Sequence, residues 1–339
     1  MISILIPIYN FDCSPLINRL SKICSQVNVK TEIIAFEDGS TNIFKDNISA
    51  LENCGGRYLS SKSNIGRSKA RNILAEAASN RYLIFLDCDS DIITGENFIN
   101  NYINIINAAQ KEGYENDFLI CGGTLYKNFR NVENKFVLHC KAGYCNEQNT
   151  YTLEDSHFGL LKPVECIEKK YKNINEDTFK EKNSINKYSK RHLLSNNFLI
   201  SKATFNKIKF DERLEKYGHE DTLFGLELRK KGVYIFYINN PVVHLGLKDY
   251  DKYISDVKAS IENLKFISDN IIDKDDRKDF KLLKVYDLIS SLKLKHLITI
   301  IYNRLGDSII NNLKTRNPNL YLLNLYKLGY LCSLNSNSK

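Results

Sequence analysis

The sequence predicts an α/β protein, a mostly parallel central sheet flanked by helices, and three observations carry that expectation. Over the first 125 residues, short apolar β-rich runs alternate with segments of helical spacing, the pattern of a parallel sheet with helical crossovers. The run at 81–86, RYLIFL, is apolar almost throughout, as in a strand buried on both faces. Two acidic clusters, Glu37-Asp38 and Asp87/Asp89, stand where two such runs end. In open α/β sheets ligands bind outside the carboxyl ends of the strands.

The elements follow in order. Residues 2–9 read as a strand, and 14–27 as a helix with Leu16, Ile17, Leu20, Ile23, Cys24 and Val27 at helical spacing. Ser14 before Pro15 is the expected cap. A strand is expected over 31–36, a short helix next, a strand near 57–59, a helix over 64–79 and the buried strand at 81–86. A helix over about 95–111 and a strand over 117–125 complete this half. Residues 126–192, polar and rich in Lys and Asn, read as a variable excursion over the site. Strands are then expected at 196–201 and 233–237, and helices at 202–207 and 220–231. From 250 onward the pattern is helical. The expected division is a domain over 1–249 and a C-terminal helical extension over 250–339.

Composition narrows the class. Apolar residues make up 43% of the chain, enough for a large core. The nine cysteines include no CxxC pair and no zinc-finger spacing, so free thiols in a reducing compartment are expected. The first residues, MISILIP, carry neither a basic leader nor a cleavage site. No apolar stretch approaches the roughly 18 residues of a membrane span. A cytoplasmic protein is the expectation. The net charge of +8 is concentrated late: from Asp279 to Lys339 there are nine Lys/Arg and three acids. A contact of 279–339 with an anionic membrane surface, or packing of these helices on the rest of the chain, follows from that excess. The stretch Leu320–Cys332 is the apolar candidate within it.

Five motifs carry chemistry. Asp87-Cys88-Asp89, just past a buried strand, offers two carboxylates to a hard divalent cation such as Mg²⁺ or Mn²⁺, which binds through one or two carboxylates plus substrate phosphates. Glu37-Asp38-Gly39-Ser40 closes the second strand and suits ribose or base N–H groups, or an ordinary turn. In the segment 64–72, Gly66 admits close backbone approach, and Arg67 and Arg71 lie four apart on one helical face. Gly218-His219-Glu220-Asp221 brings two acids to a helix start, where the dipole favours them in any case and a general base can sit. His244 ends an apolar stretch, as a structural histidine or a metal ligand.

In order along the chain, SILIPIYN, EDGST, SNIGRSKARN, LIFLDCDSD, YGHEDTLFGLELRKKG and VVHLG resemble the family 2 glycosyltransferases of the GT-A, Rossmann-like fold, over about residues 1–246. The resemblance implies a donor pocket formed by Pro7, Tyr9, Asp38, Asn64, Gly66, Arg67, Arg71, Asp87 and Cys88. It implies a metal held by Asp89 with Asp87 and His244, Asp221 as catalytic base, and Glu220 at the acceptor. The implied reaction is inverting, metal-dependent sugar transfer from a nucleotide-diphosphate sugar, UDP-linked, to a hydroxyl of a saccharide or lipid-linked saccharide. The setting it suggests is cell-surface polysaccharide or glycoconjugate assembly at the inner face of the membrane, with no nucleic-acid partner and with room for a homo-oligomer. Many relatives place a Trp before the Glu-Asp pair; this chain has none, and Tyr217 or His219 stands in its place. Two other readings remain at this point: a nucleotidyltransferase of related fold, although residues 7–14 lack Gly and Lys, and a non-catalytic sugar-binding module.

Overall fold

The structure is a computed structural model that describes residues 1–114, 117–146 and 193–334. Its central sheet has seven strands. In chain order these are β1 (Ile2–Ile8), β2 (Thr31–Asp38), β3 (Arg57–Ser61), β4 (Tyr82–Leu86), β6 (Phe118–Cys121), β8 (Asn197–Ser201) and β9 (Tyr234–Tyr237), arranged β3-β2-β1-β4-β8-β6-β9. Neighbouring pairs are parallel except at β8, which runs antiparallel to both β4 and β6. A second sheet joins β5 (Ser90–Ile92), β10 (Val242–His244) and β7 (Thr124–Leu125).

Alternation along the strands builds two cores. Ile4, Ile6 and Ile8 of β1, with Ile84 and Leu86 of β4, face α1 (Ser14–Gln26), α2 (Lys45–Asn53) and α4 (Asn97–Lys111). Leu5, Leu83 and Phe85 face the other way, against α3 (Arg67–Ala77), α6 (Lys202–Ile208) and α7 (Glu220–Lys230). Helices on both faces explain why β4 reads as a continuous apolar run. The start of α1 differs from expectation in detail: the helix includes Ser14, whose hydroxyl donates to Asp12 rather than capping the helix.

The expected strand 117–125 is two strands. Between them Gly122 approaches so closely that a Cβ would stand 2.4 Å from Asn197 Nδ2. The chain leaves the large sheet there and enters the small one, whose β10 partner lies beside β5. This crossing brings His244 to the acidic end of β4, since His244 pairs with Ser90. Of the expected excursion, α5 (Val137–Asn146) is described, and 147–192 lie outside the described residues.

From Tyr250 to Leu334 the chain forms four α-helices joined by short connections: α8 (Tyr250–Asn270), α9 (Lys281–Ser291), α10 (Lys295–Leu313) and α11 (Leu320–Leu334). These helices pack on the sheet domain. Val257, Ile261 and Leu264 of α8, Leu283 of α9 and Leu331 of α11 share a core with Leu223 and Leu226 of α7. Leu323 and Tyr326 of α11 join Ile309 and Leu313 of α10 against α5. The apolar run Leu320–Cys332 therefore turns much of its surface inward, through Leu323, Tyr326, Leu328, Leu331 and Cys332. Among the described residues no helix is long and apolar enough to cross a membrane, and Cys13, Cys24, Cys54, Cys88, Cys121, Cys140 and Cys332 are free thiols.

Candidate active site

The carboxyl ends of β2 and β4 lie two strands apart, with β1 between them. Asp38, the last residue of β2, is buried and accepts hydrogen bonds from the backbone N–H groups of Ile65 and Gly66 at 2.7 and 3.1 Å. Asn64 Nδ2 donates to the same carboxylate at 3.1 Å. Burial raises the Asp38 pKa against the opposing pull of those two N–H groups. Asp38 thus ties the loop before α3 to the sheet. Gly66 caps α3 at φ +88°, a conformation that strains any side-chain-bearing residue. Pro7 is partly buried at the end of β1, and Tyr9 just beyond it is exposed. Cys88 is partly buried, and its thiol pKa is pushed far up by burial.

Arg71 is the hub. Its side chain is 1% exposed; its guanidinium lies 2.9 Å from Asp87 Oδ1 and 3.4 Å from Glu220 Oε1. Asp87 stands 16 residues away in sequence and Glu220 stands 149. One turn earlier on α3, Arg67 approaches the same Glu220 oxygen at 3.8 Å and is 47% exposed. Burial would raise the Glu220 pKa, but Arg67 and Arg71 outweigh it and hold the carboxyl below its ordinary value. Glu220 is therefore an ionised partner of two arginines. The enclosed Arg71 positions Asp87 and Glu220, and Arg67 is the cation that meets solvent.

Asp89 turns away from this hub. Its Oδ1 is buried and makes no hydrogen bond of good geometry among the described residues, although His244 Nδ1 stands 3.4 Å away. Burial works to raise the Asp89 pKa; His244, Arg67 and Lys248 prevail and lower it. His139 packs edge-on to His244, with ring centroids 5.5 Å apart, and its Nδ1 accepts the Lys248 backbone N–H at 2.9 Å. Burial pushes the His139 pKa down to about 3, so it is neutral. Among the described residues no group of three or more His, Cys, Asp or Glu side chains is arranged around one metal position. Asp89 and His244 nevertheless suit a divalent cation that completes its shell with ligand oxygens. An under-satisfied buried carboxylate oxygen beside an imidazole is such a donor pair, while Asp87 meets Arg71 through Oδ1.

Gly246 forms the floor of this site. A Cβ there would lie 2.1 Å from Asp89 Oδ2. Gly246→Ala is expected to force the Asp89 carboxylate aside. The thermal shift produced by Mn²⁺ with a nucleotide diphosphate should vanish while the far-UV circular dichroism stays unchanged. A retained shift would exclude Asp89 from cation binding.

Asp221, at the start of α7, opens elsewhere. It lines a cavity of about 920 Å³ with Tyr217, His219 and Tyr253, walled on the far side by α9 and α11. Asp87, Asp89 and His244 do not line it. The bridge between the two places is Tyr217: the Arg67 guanidinium stands 4.7 Å from its ring centre and the Lys248 ammonium 4.0 Å. The turn that aims Glu220 and Asp221 is unusual, since Gly218 and His219 both have positive φ, 93° and 69°. Asn263 of α8, buried, donates from Nδ2 to the Gly218 carbonyl at 2.6 Å and to that of Lys216 at 3.2 Å. The helical extension thus holds this turn in place. Lys248, His139, Gly246 and Asn263 escaped the sequence reading. Of these, Gly246 closes the VVHLG string and Lys248 lies two residues beyond it, the two with any signal of position.

Residues 3–99 match the profile of the family described as glycosyl transferase family 2. The chain carries a glycosyltransferase domain. The matched stretch holds the cluster at the end of β2, both arginines and Asp87/Asp89, whereas Glu220, Asp221 and His244 lie beyond it. The sheet that carries this stretch is mostly parallel and flanked by helices. Solved structures similar to the chain include the 1–349 portion of TarS from S. aureus, at 13% identity over 99% of this chain and 92% of that one, with a TM-score of 0.42. Another is the Pyrobaculum calidifontis mannosyltransferase PcManGT in complex with GDP-Man and Mn²⁺, at 11% identity over 100% of this chain and 87% of that one, TM-score 0.49. A third is glucosyl-3-phosphoglycerate synthase from Mycobacterium tuberculosis, in complex with Mn²⁺, UDP and glucosyl-3-phosphoglycerate, at 17% identity over 81% of each chain, TM-score 0.47. None of the curated proteins compared matches the chain.

Proposed function

We propose that the glycosyltransferase domain moves a hexosyl group from a nucleotide-diphosphate sugar to an acceptor hydroxyl, with inversion at the anomeric carbon. The observation that supports this reading is the Arg71 hub, where α3 meets both Asp87 at the end of β4 and Glu220 at the start of α7. Uridine is the nucleotide by the family resemblance. Arg67, exposed beside Tyr217, meets the diphosphate. The acceptor enters the cavity beside Asp221, and Tyr217 supplies the aromatic wall that Trp supplies in relatives.

In the reaction the acceptor oxygen attacks C1 from the face opposite the leaving group. The C1–O bond to the diphosphate breaks, and Asp221 takes the hydroxyl proton. Asp89 and His244 would hold a divalent cation, Mn²⁺ or Mg²⁺, which when bound neutralises charge on the diphosphate as a Lewis acid. The acceptor is a saccharide or a lipid-linked saccharide of the kind used in glycoconjugate and polysaccharide assembly.

A panel of nucleotide-sugars screened by thermal shift with and without Mn²⁺ tests the donor side, and the anomeric configuration of the product by NMR tests inversion. UDP-sugars are expected to stabilise the protein only when metal is present. Asp89→Ala and EDTA should each remove that stabilisation, and full stabilisation in EDTA would sink the metal site. A product of retained configuration would overturn the single displacement.

A further inference from the structure

We propose that the corner between α9 and α10 is a docking surface for an anionic lipid membrane. Four leucines within ten residues face outward there: Leu288, Leu292, Leu294 and Leu297 are all exposed, the first two at 60% and 58%. On α9 they extend a stripe that begins at Val285 and repeats at helical spacing (Val285, Leu288, Leu292), and on α10 Leu305 continues it beyond Leu297. The buried residues of this hairpin are Leu283, Thr299, Ile309 and Leu313. A soluble protein rarely leaves such an apolar corner without a use.

Charge decides the occupant. From 281 to 304 there are five basic residues, Lys281, Lys284, Lys293, Lys295 and Arg304, against one acid, Asp287. Arg277 holds Asp287 through Nε at 2.9 Å, so the acid does little to offset the lysines. Leucines bordered by lysines match the interface of an anionic bilayer, apolar below and negative at the headgroups. Two copies meeting through this face would instead bring like charges together. The segment differs from the apolar run Leu320–Cys332, which the fold turns inward. Lys281 and Val285 also line the cavity beside Asp221, so a membrane under α9 lies next to that cavity.

The test uses the full chain and vesicles of phosphatidylcholine with and without phosphatidylglycerol, read by co-sedimentation at low and high salt. Binding is expected only to the anionic vesicles, and it should weaken as salt is raised. The exposed triple variant Leu288→Ser, Leu292→Ser, Leu297→Ser should lose it. Lys284→Glu, Lys293→Glu, Lys295→Glu should weaken it by roughly a hundredfold or more. All six positions are exposed, so both variants should fold, with unchanged circular dichroism and unchanged donor binding. No sedimentation of the wild type at low salt, or undiminished binding by both variants, overturns the proposal. So does a concentration-dependent dimer that the leucine variant abolishes, because the corner would then be an interface between copies. None of these readouts depends on sugar transfer.

Discussion

Asp221→Asn is expected to lower turnover by about 10²–10⁴-fold, the range that general-base assistance supplies, while leaving metal-dependent donor binding in place. Asparagine keeps the shape of the residue, and its Oδ1 can still accept the Thr222 backbone N–H that now donates at 2.6 Å. What is lost is the capacity to take a proton from a hydroxyl in the adjoining cavity. Glu220 is the natural competitor for the role, and its contacts separate the two. Glu220 is buried against Arg71 and Arg67, so Glu220→Gln should first of all cost stability. Steady-state kinetics and a melting curve on both variants decide between them. Full turnover in Asp221→Asn, with a large loss in a folded Glu220→Gln, would transfer the base to Glu220.

Arg71→Met should be the most damaging single change to the fold of the site. It leaves the Asp87 and Glu220 carboxylates without their shared counter-ion, and breaking one partner out of a buried pair costs about 3–5 kcal/mol. That is a large share of the roughly 5–15 kcal/mol that holds a domain folded, so a fall of many degrees in melting temperature is expected. Arg71→Lys should not rescue it, because a point charge cannot span two carboxylates as the guanidinium fork does. Pairing Arg71→Met with Glu220→Gln should cost less than the sum of the two single losses, since the second change removes a charge the first has stranded. Strict additivity in denaturant melts would show that Arg71 and Glu220 do not interact.

The Gly246 result bears on the same architecture from the other side. Nothing in the string VVHLGLK marks Gly246 as special, because its role is to leave room for a carboxylate that lies 157 positions earlier in the chain. Asn263 is a similar case: an ordinary polar residue in a helix becomes the clamp of the Gly218–His219 turn only once α8 has packed there. Neither residue type nor spacing carries that information.

By itself the sequence determined the local and the periodic. The buried β4 strand, the acids at the ends of β2 and β4, the two arginines one turn apart and the Glu-Asp pair at a helix start are legible because side-chain direction repeats every two residues in a strand and every 3.6 in a helix. Tertiary structure alone decided which charges meet. Asp87 and Asp89 are one residue apart, yet one is bound by Arg71 and the other faces His244. Glu220 and Asp221 are adjacent, yet one is enclosed and the other lines the cavity. Neighbours in sequence part company because the chain turns between them, and what each finds on its side comes from other elements of the fold, 16 residues away for Asp87 and 149 for Glu220. The C-terminal helices repeat the lesson: Leu320–Cys332 carries the stronger apolar pattern, but packing buries it, and the exposed apolar face falls at Leu288–Leu297 because nothing in the described chain covers that corner.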